Sequence, residues 1–188
     1  MSQALACHTA ARPALSITAL LATALLAACS HTPFDPLAPG AVAQAQLQPT
    51  LASKVQGQVR FSTQKDGSVR VQGEVQGLAP NSEHGFHIHE KGDCSAPDAT
   101  SAGGHFNPGN SPHGHMGHGH AGDLYSLQAD ASGTARFDYS TRSITIGQGS
   151  TNIVGRGLIV HKDADDFVSQ PTGNAGARLA CAVITAVK

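Results

Sequence analysis

Charge is scarce in this chain and balanced where it occurs: of 188 residues, 12 are Lys or Arg and 13 are Asp or Glu, a formal net charge of −1. A balance so close to zero excludes the broad basic field that nucleic-acid binding needs. Tryptophan is absent and only 13% of the residues are charged, a composition that fits a helical bundle poorly. The 21 glycines, with valine and threonine recurring in short runs, suit an all-β domain with many turns. No apolar run has the length of a membrane span; the longest, Ala14 to Ala28, is too short. The length suggests one domain with a short extension.

That apolar run follows Arg12 and ends Leu26-Ala27-Ala28-Cys29. A short apolar run behind a positive charge, closing on small residues, predicts a secretory signal over residues 1–28. The cysteine straight after it resembles the bacterial lipoprotein cleavage box, so Cys29 is expected to become the first residue and carry lipid. Ser30 behind it resembles the outer-membrane sorting pattern. The expectation is an exported protein in the periplasm or at the outer membrane, touching membrane only through the anchor on Cys29. Cleavage nearby, with Cys29 unmodified, is the alternative. Cys7 leaves with the signal, and Cys94 and Cys181 remain as the one possible intramolecular pair. An oxidising compartment should close it; two buried free thiols are the alternative.

Residues 29–50 contain Pro33, Pro36, Pro39 and Pro49 among several Ala and Gln, and read as a flexible tether. The folded domain is expected over residues 51–188. Lys54 to Phe61 and Ser68 to Val75 alternate polar and apolar around Asp66-Gly67, which predicts a hairpin. Strand character recurs at Gly85 to His89, Asp123 to Gln128, Thr134 to Tyr139, Arg156 to His161 and Arg178 to Thr185. Ser143 to Ile146 reads as a helical turn or a strand. Residues 92–122 and 162–177 are long polar loops, and loops of that length in a small domain are functional or disordered. Short strands with two such loops suggest an antiparallel sandwich or barrel.

The functional signal is histidine. His87 and His89 are two apart in a strand, so both point to one face while Phe86 and Ile88 point to the other. His-x-His alone is a weak metal signal. Further along stand His105, the tract His113, His115, His118 and His120, then Asp123 and His161. Imidazole suits both copper and zinc, and three imidazoles with a carboxylate make a closed tetrahedral zinc site.

Gly85-Phe86-His87-Ile88-His89-Glu90, Ser101-Ala102-Gly103-Gly104-His105-Phe106-Asn107-Pro108, His120-Ala121-Gly122-Asp123-Leu124, Gly155 to His161 and Gly173 to Cys181 together resemble copper–zinc superoxide dismutase. The resemblance runs from about Lys54 to Lys188 and is nearest the exported bacterial branch. It implies an eight-stranded Greek-key β-barrel with two long functional loops. It implies copper on His87, His89, His105 and His161, and zinc on His105, His113, His120 and Asp123, with His105 bridging the two. Asp165 would link a copper ligand to a zinc ligand, Arg178 would guide the anion, and Cys94 and Cys181 would form the family's disulfide. The implied reaction converts superoxide to dioxygen and hydrogen peroxide by alternating reduction and oxidation of copper, with the zinc structural. The resemblance allows a homodimer as well as a monomer.

Some residues stay open at this level. His115 competes with His113 for the zinc, because the gap from His113 to His120 is short. His115 and His118 are surplus, either capturing metal or solvated on the loop. His84 reads as a surface residue or one that supports the ligands. The competing function is a binding protein that stores or delivers metal through the histidine tract.

Overall fold

The hairpin predicted around Asp66-Gly67 is the most local part of the architecture, and its turn chemistry is simple. In the computed structural model, which describes residues 40–188, Gly67 takes φ +81° and the Asp66 carboxylate accepts the Ser68 N–H at 3.0 Å. Strands β1 (Val42–Pro49), β2 (Gln56–Thr63) and β3 (Val69–Gln76) are paired antiparallel in that order. Along them Ala43, Ala45, Leu47, Val59, Phe61, Val69, Val71 and Val75 are buried, as the period of two demands.

The remaining strands are β4 (Glu83–His84), β5 (Phe86–His89), β6 (Leu127–Gln128), β7 (Ala135–Thr141), β8 (Gly157–His161), β9 (Arg178–Val183) and β10 (Thr185–Ala186). One eight-stranded antiparallel sheet runs β5-β8-β9-β1-β2-β3-β7, with β10 also paired to β1, and β4 pairs with β6 separately. The sheet curls so far that its two edge strands meet through their side chains: Phe86 of β5 lies 5.4 Å from Phe137 of β7, centroid to centroid. The all-β expectation and the eight-stranded count hold. Residues 90–126 and 162–177 remain almost free of regular structure; the first holds only a 3₁₀ turn at Thr100–Ala102.

Three sequence expectations are corrected. The tether assigned to residues 29–50 is wrong from Val42 onward, because β1 lies between β2 and β9 in the sheet. Val42-Ala43-Gln44-Ala45-Gln46-Leu47 does alternate, but Ala and Gln have little β propensity of their own; pairing on both sides supplies what propensity lacks. Of the strand expected over Asp123–Gln128, only Leu127–Gln128 pairs as one. Ser143–Ile146 is neither helix nor strand: Ile144 and Ile146 are buried, and Thr145 makes a single bridge to Asn152. The signal over residues 1–28 and the lipid site Cys29 lie outside the described residues.

Candidate metal centre

β5 is buried along its whole length. Its Phe86 and Ile88 join the main core, and His87 and His89 point away from it into a second enclosed space. The backbone brings the other donors to them. His89 forms a bridge with His105, and His87 one with Asp123. β8 pairs beside β5, and its last residue, His161, donates its N–H to the Gly85 carbonyl at 2.8 Å. β8 carries the continuous run Leu158-Ile159-Val160 because both of its faces are covered: Leu158 and Val160 enter the main core, and Ile159 packs with Ala99, Ala102 and Cys181.

Two groups of potential ligand atoms result, each with its members within 4.8 Å of one another and all buried: His87, His89, His105 and His161, and His105, His113, His120 and Asp123. His105 belongs to both. Each imidazole is oriented by its other nitrogen. His87 Nε2 donates to Asp165 at 2.6 Å, His89 Nδ1 to the Gly103 carbonyl at 2.9 Å, and His161 Nδ1 to the Gly176 carbonyl at 3.2 Å. A ring nitrogen that donates leaves its partner nitrogen with a lone pair. Those lone pairs converge: His89 Nε2 faces His161 Nε2 at 3.3 Å, and His87 Nδ1 and His105 Nε2 are buried with no hydrogen-bond partner.

The second group repeats the pattern. His113 Nε2 donates to Asp165 at 2.9 Å, and His113 Nδ1 is buried without a hydrogen bond, 3.0 Å from Asp123 Oδ2. His105 Nδ1 lies 2.9 Å from Asp123 Oδ1 and 3.4 Å from His120 Nδ1. Buried polar atoms are normally satisfied, so unpartnered nitrogens aimed at one another are the signature of a cation's ligand set. The donors fit the two metals: four imidazoles suit copper, and three imidazoles with one carboxylate suit zinc.

Burial keeps the rings neutral, as ligation requires. Desolvation lowers His161 from the usual 6.5 to about 3, aided by the neighbouring His87. It lowers His87 to about 4 against the opposing pull of Asp165. His89 falls well below 6.5, by desolvation and then by the nearby His105. For Asp165, burial acts upward, but hydrogen bonds from His87 and His113 outweigh it and hold the carboxyl at about 2.

Comparison with known proteins agrees with this geometry. The family model for copper/zinc superoxide dismutase (SODC) matches residues 55–184.

The chain belongs to the copper/zinc superoxide dismutase family.

A superoxide dismutase [Cu-Zn] of Paramecium bursaria Chlorella virus 1 is 41% identical over 142 residues, 71% of this chain and 74% of the relative. One of Deinococcus radiodurans is 39% identical over 147 residues, covering 71% and 79%. Among solved structures, the clock protein EA4 superposes with a TM-score of 0.72 at 38% identity, covering 84% of this chain and 99% of its own. A SOD-like protein from Bacillus subtilis gives 0.68 at 35% identity, covering 74% and 96%.

Within this superoxide dismutase family member, further residues shape the centre. Cys94 and Cys181 are joined by a disulfide, with Cα atoms 5.8 Å apart. It ties the loop after β5 to β9. Arg178 opens β9, and its guanidinium donates to the carbonyls of Ala99 and Gly103, both at 2.6 Å. Gly103 O therefore serves Arg178 and His89 together. His113, not His115, enters the buried group: His115 is exposed and stacks on Phe167. His118 is exposed as well. His84 is a buried support, its ring bridging Ser82 Oγ at 2.7 Å and the His161 carbonyl at 2.8 Å.

Sequence reasoning missed the backbone carbonyls of Gly103 and Gly176, which no side-chain pattern announces. It also missed Gln170, which clamps His113 by accepting its N–H at 2.8 Å and donating to its carbonyl at 3.0 Å. Gly173 carried a partial signal: a β-carbon there would strike the Asp165 carboxylate and the His113 ring.

Proposed function

We propose that the protein converts superoxide to dioxygen and hydrogen peroxide, with copper held by His87, His89, His105 and His161 and zinc held by His105, His113, His120 and Asp123. The observation that carries this reading is the sharing of His105: it belongs to both donor groups, its Nδ1 lies against Asp123 and His120, and its Nε2 is buried without a hydrogen bond. Copper bound there supplies one-electron chemistry, and zinc supplies a fixed positive charge and a rigid loop.

The chain's own residues do the rest. Asp165, hydrogen-bonded to His87 and His113 at once, holds one ligand of each group in orientation. His105 Nε2 has no protein partner and is the atom suited to hold a proton destined for peroxide. Arg178 is only partly buried and always charged; it offers a cation beside the imidazoles to a small anion. A positive group near a binding site raises association rates for anions.

The deciding experiment is a dismutase assay on protein reconstituted with copper and zinc, with His161→Ala as the control. Activity in the first and its loss in the second are expected. Inactive protein that still retains both metals would overturn catalysis and favour metal storage.

We also propose export, with cleavage before Cys29 and a lipid on its sulfur. The apolar run closing on Leu26-Ala27-Ala28-Cys29 supports this, and so does a disulfide, which persists in oxidising compartments. An intact mass of the native N-terminus, read together with membrane fractionation, tests it. The assembly, monomer or homodimer, is read by analytical ultracentrifugation.

A further inference from the structure

Four histidines stand at close spacing in His113-Gly114-His115-Met116-Gly117-His118-Gly119-His120. The centre uses only the outer pair. The inner pair occupies a turn of its own. The His118 N–H donates to the His115 carbonyl at 2.9 Å, and Gly117 takes φ +86°. A hydrogen-bonded four-residue turn with glycine at its third position is a type II turn, which brings the first and fourth Cα atoms within about 7 Å. His115 and His118 are those two residues, and Met116 lies between them, partly buried.

The turn is held at its base and along one side. Asp123 Oδ2 accepts the N–H of Gly114 at 3.1 Å and of His120 at 2.8 Å, pinning both stems. The His115 ring stacks on Phe167 at 4.1 Å between centroids, 22° from parallel. Phe167 itself has φ +57°, a conformation that a bulky side chain rarely adopts. It is kept there in part by the bond from its N–H to Asp165 Oδ1 at 2.7 Å. His115 and His118 are both exposed. Among the described residues neither His115 nor His118 is hydrogen-bonded through its ring.

We propose that His115 and His118 form an exposed third metal site that binds copper, with the Met116 thioether joining when the ion is cuprous. Two imidazoles suit a copper ion, the divalent form of which heads the affinity order for nitrogen ligands, and thioether sulfur selects the cuprous form. The pinned stems and the stacked ring remove part of the ordering cost of binding. Nothing in the turn belongs to the internal centre, so this site stands or falls separately from the proposed catalytic reading.

The test begins with full-length protein whose internal centre is already loaded with copper and zinc. Cupric ion, and cuprous ion under anaerobic reducing conditions, are added, excess is removed by gel filtration, and bound metal is counted by elemental analysis. Wild-type protein is expected to retain an additional equivalent of either ion. The double variant H115N/H118N should lose that equivalent while keeping the internal metals, its circular dichroism and its dismutase rate. M116L should weaken retention of cuprous ion and leave cupric ion unchanged. No additional equivalent in the wild type, or one that survives in H115N/H118N, would overturn the site. Unchanged cuprous retention in M116L would remove the thioether from it.

Discussion

Asp165 carries two hydrogen bonds whose loss should be felt at both donor groups, since one goes to His87 and the other to His113. Replacing a residue that orients metal-binding histidines typically costs about 10–100-fold in metal affinity or activity. Asp165→Ala is expected to fall in that range for both metals, measured by competition with a chelator; loss of one metal alone would contradict the bridging role. Gly173→Ala should act on the same carboxylate from the other side, because the added methyl collides with Asp165 and His113 and the residue sits at φ +65°. Arg178→Ala should leave metal content intact and lower kcat/KM by roughly tenfold or more, within the range of electrostatic steering, with a flatter dependence on salt. At this scale the sequence was informative about residue type. Histidines, two aspartates and an arginine were visible as candidates. The choice of His113 over His115 rested only on the spacing from His105 that the family resemblance implies, because both sit in the same glycine-rich tract. Gln170, 57 positions away, clamps one of them and Phe167 stacks on the other.

Among the elements, β1 is where sequence pattern and structure parted. If residues 42–49 were a tether, Leu47→Ala would be neutral. Leu47 is instead fully buried, and truncating a buried leucine costs about 2–5 kcal/mol; denaturant melts of the two proteins should show that difference. The disulfide works between elements. It spans 87 positions, and the chain-entropy model assigns roughly 4–5 kcal/mol to closing so long a loop. Cys94→Ser is therefore expected to lower stability by an amount of that order. It should also loosen the loop whose Ala99 and Gly103 carbonyls hold Arg178, so activity should drop further than metal loss alone accounts for. The β2–β3 hairpin was legible because its turn and its alternation are local. β1 was not, because its stability comes from β2 on one side and β9 and β10 on the other.

For the whole molecule, the buried imidazoles make the metal-free protein sensitive to acid. His87 and His161 titrate at about 4 and about 3 in the folded chain, against 6.5 when unfolded. Between those values the unfolded chain binds more protons than the folded one, so stability falls as pH drops. Their contribution is complete above pH 6.5 and is lost progressively down to about pH 3. The melting temperature of metal-free protein, scanned from pH 7 to 3, should decline across that window, and bound metal should be released as the same nitrogens take up protons. By itself the sequence determined the all-β class, the turn-rich loops and the donor types, because period, turn chemistry and composition are properties of neighbouring residues. Only the tertiary structure decided which nitrogens face one another, which carbonyls orient them, and that β1 belongs to the sheet. Those depend on strands and loops meeting across the curled sheet, 143 positions apart in the case of Ala43 and Ala186, and contacts at that separation leave no mark on local pattern.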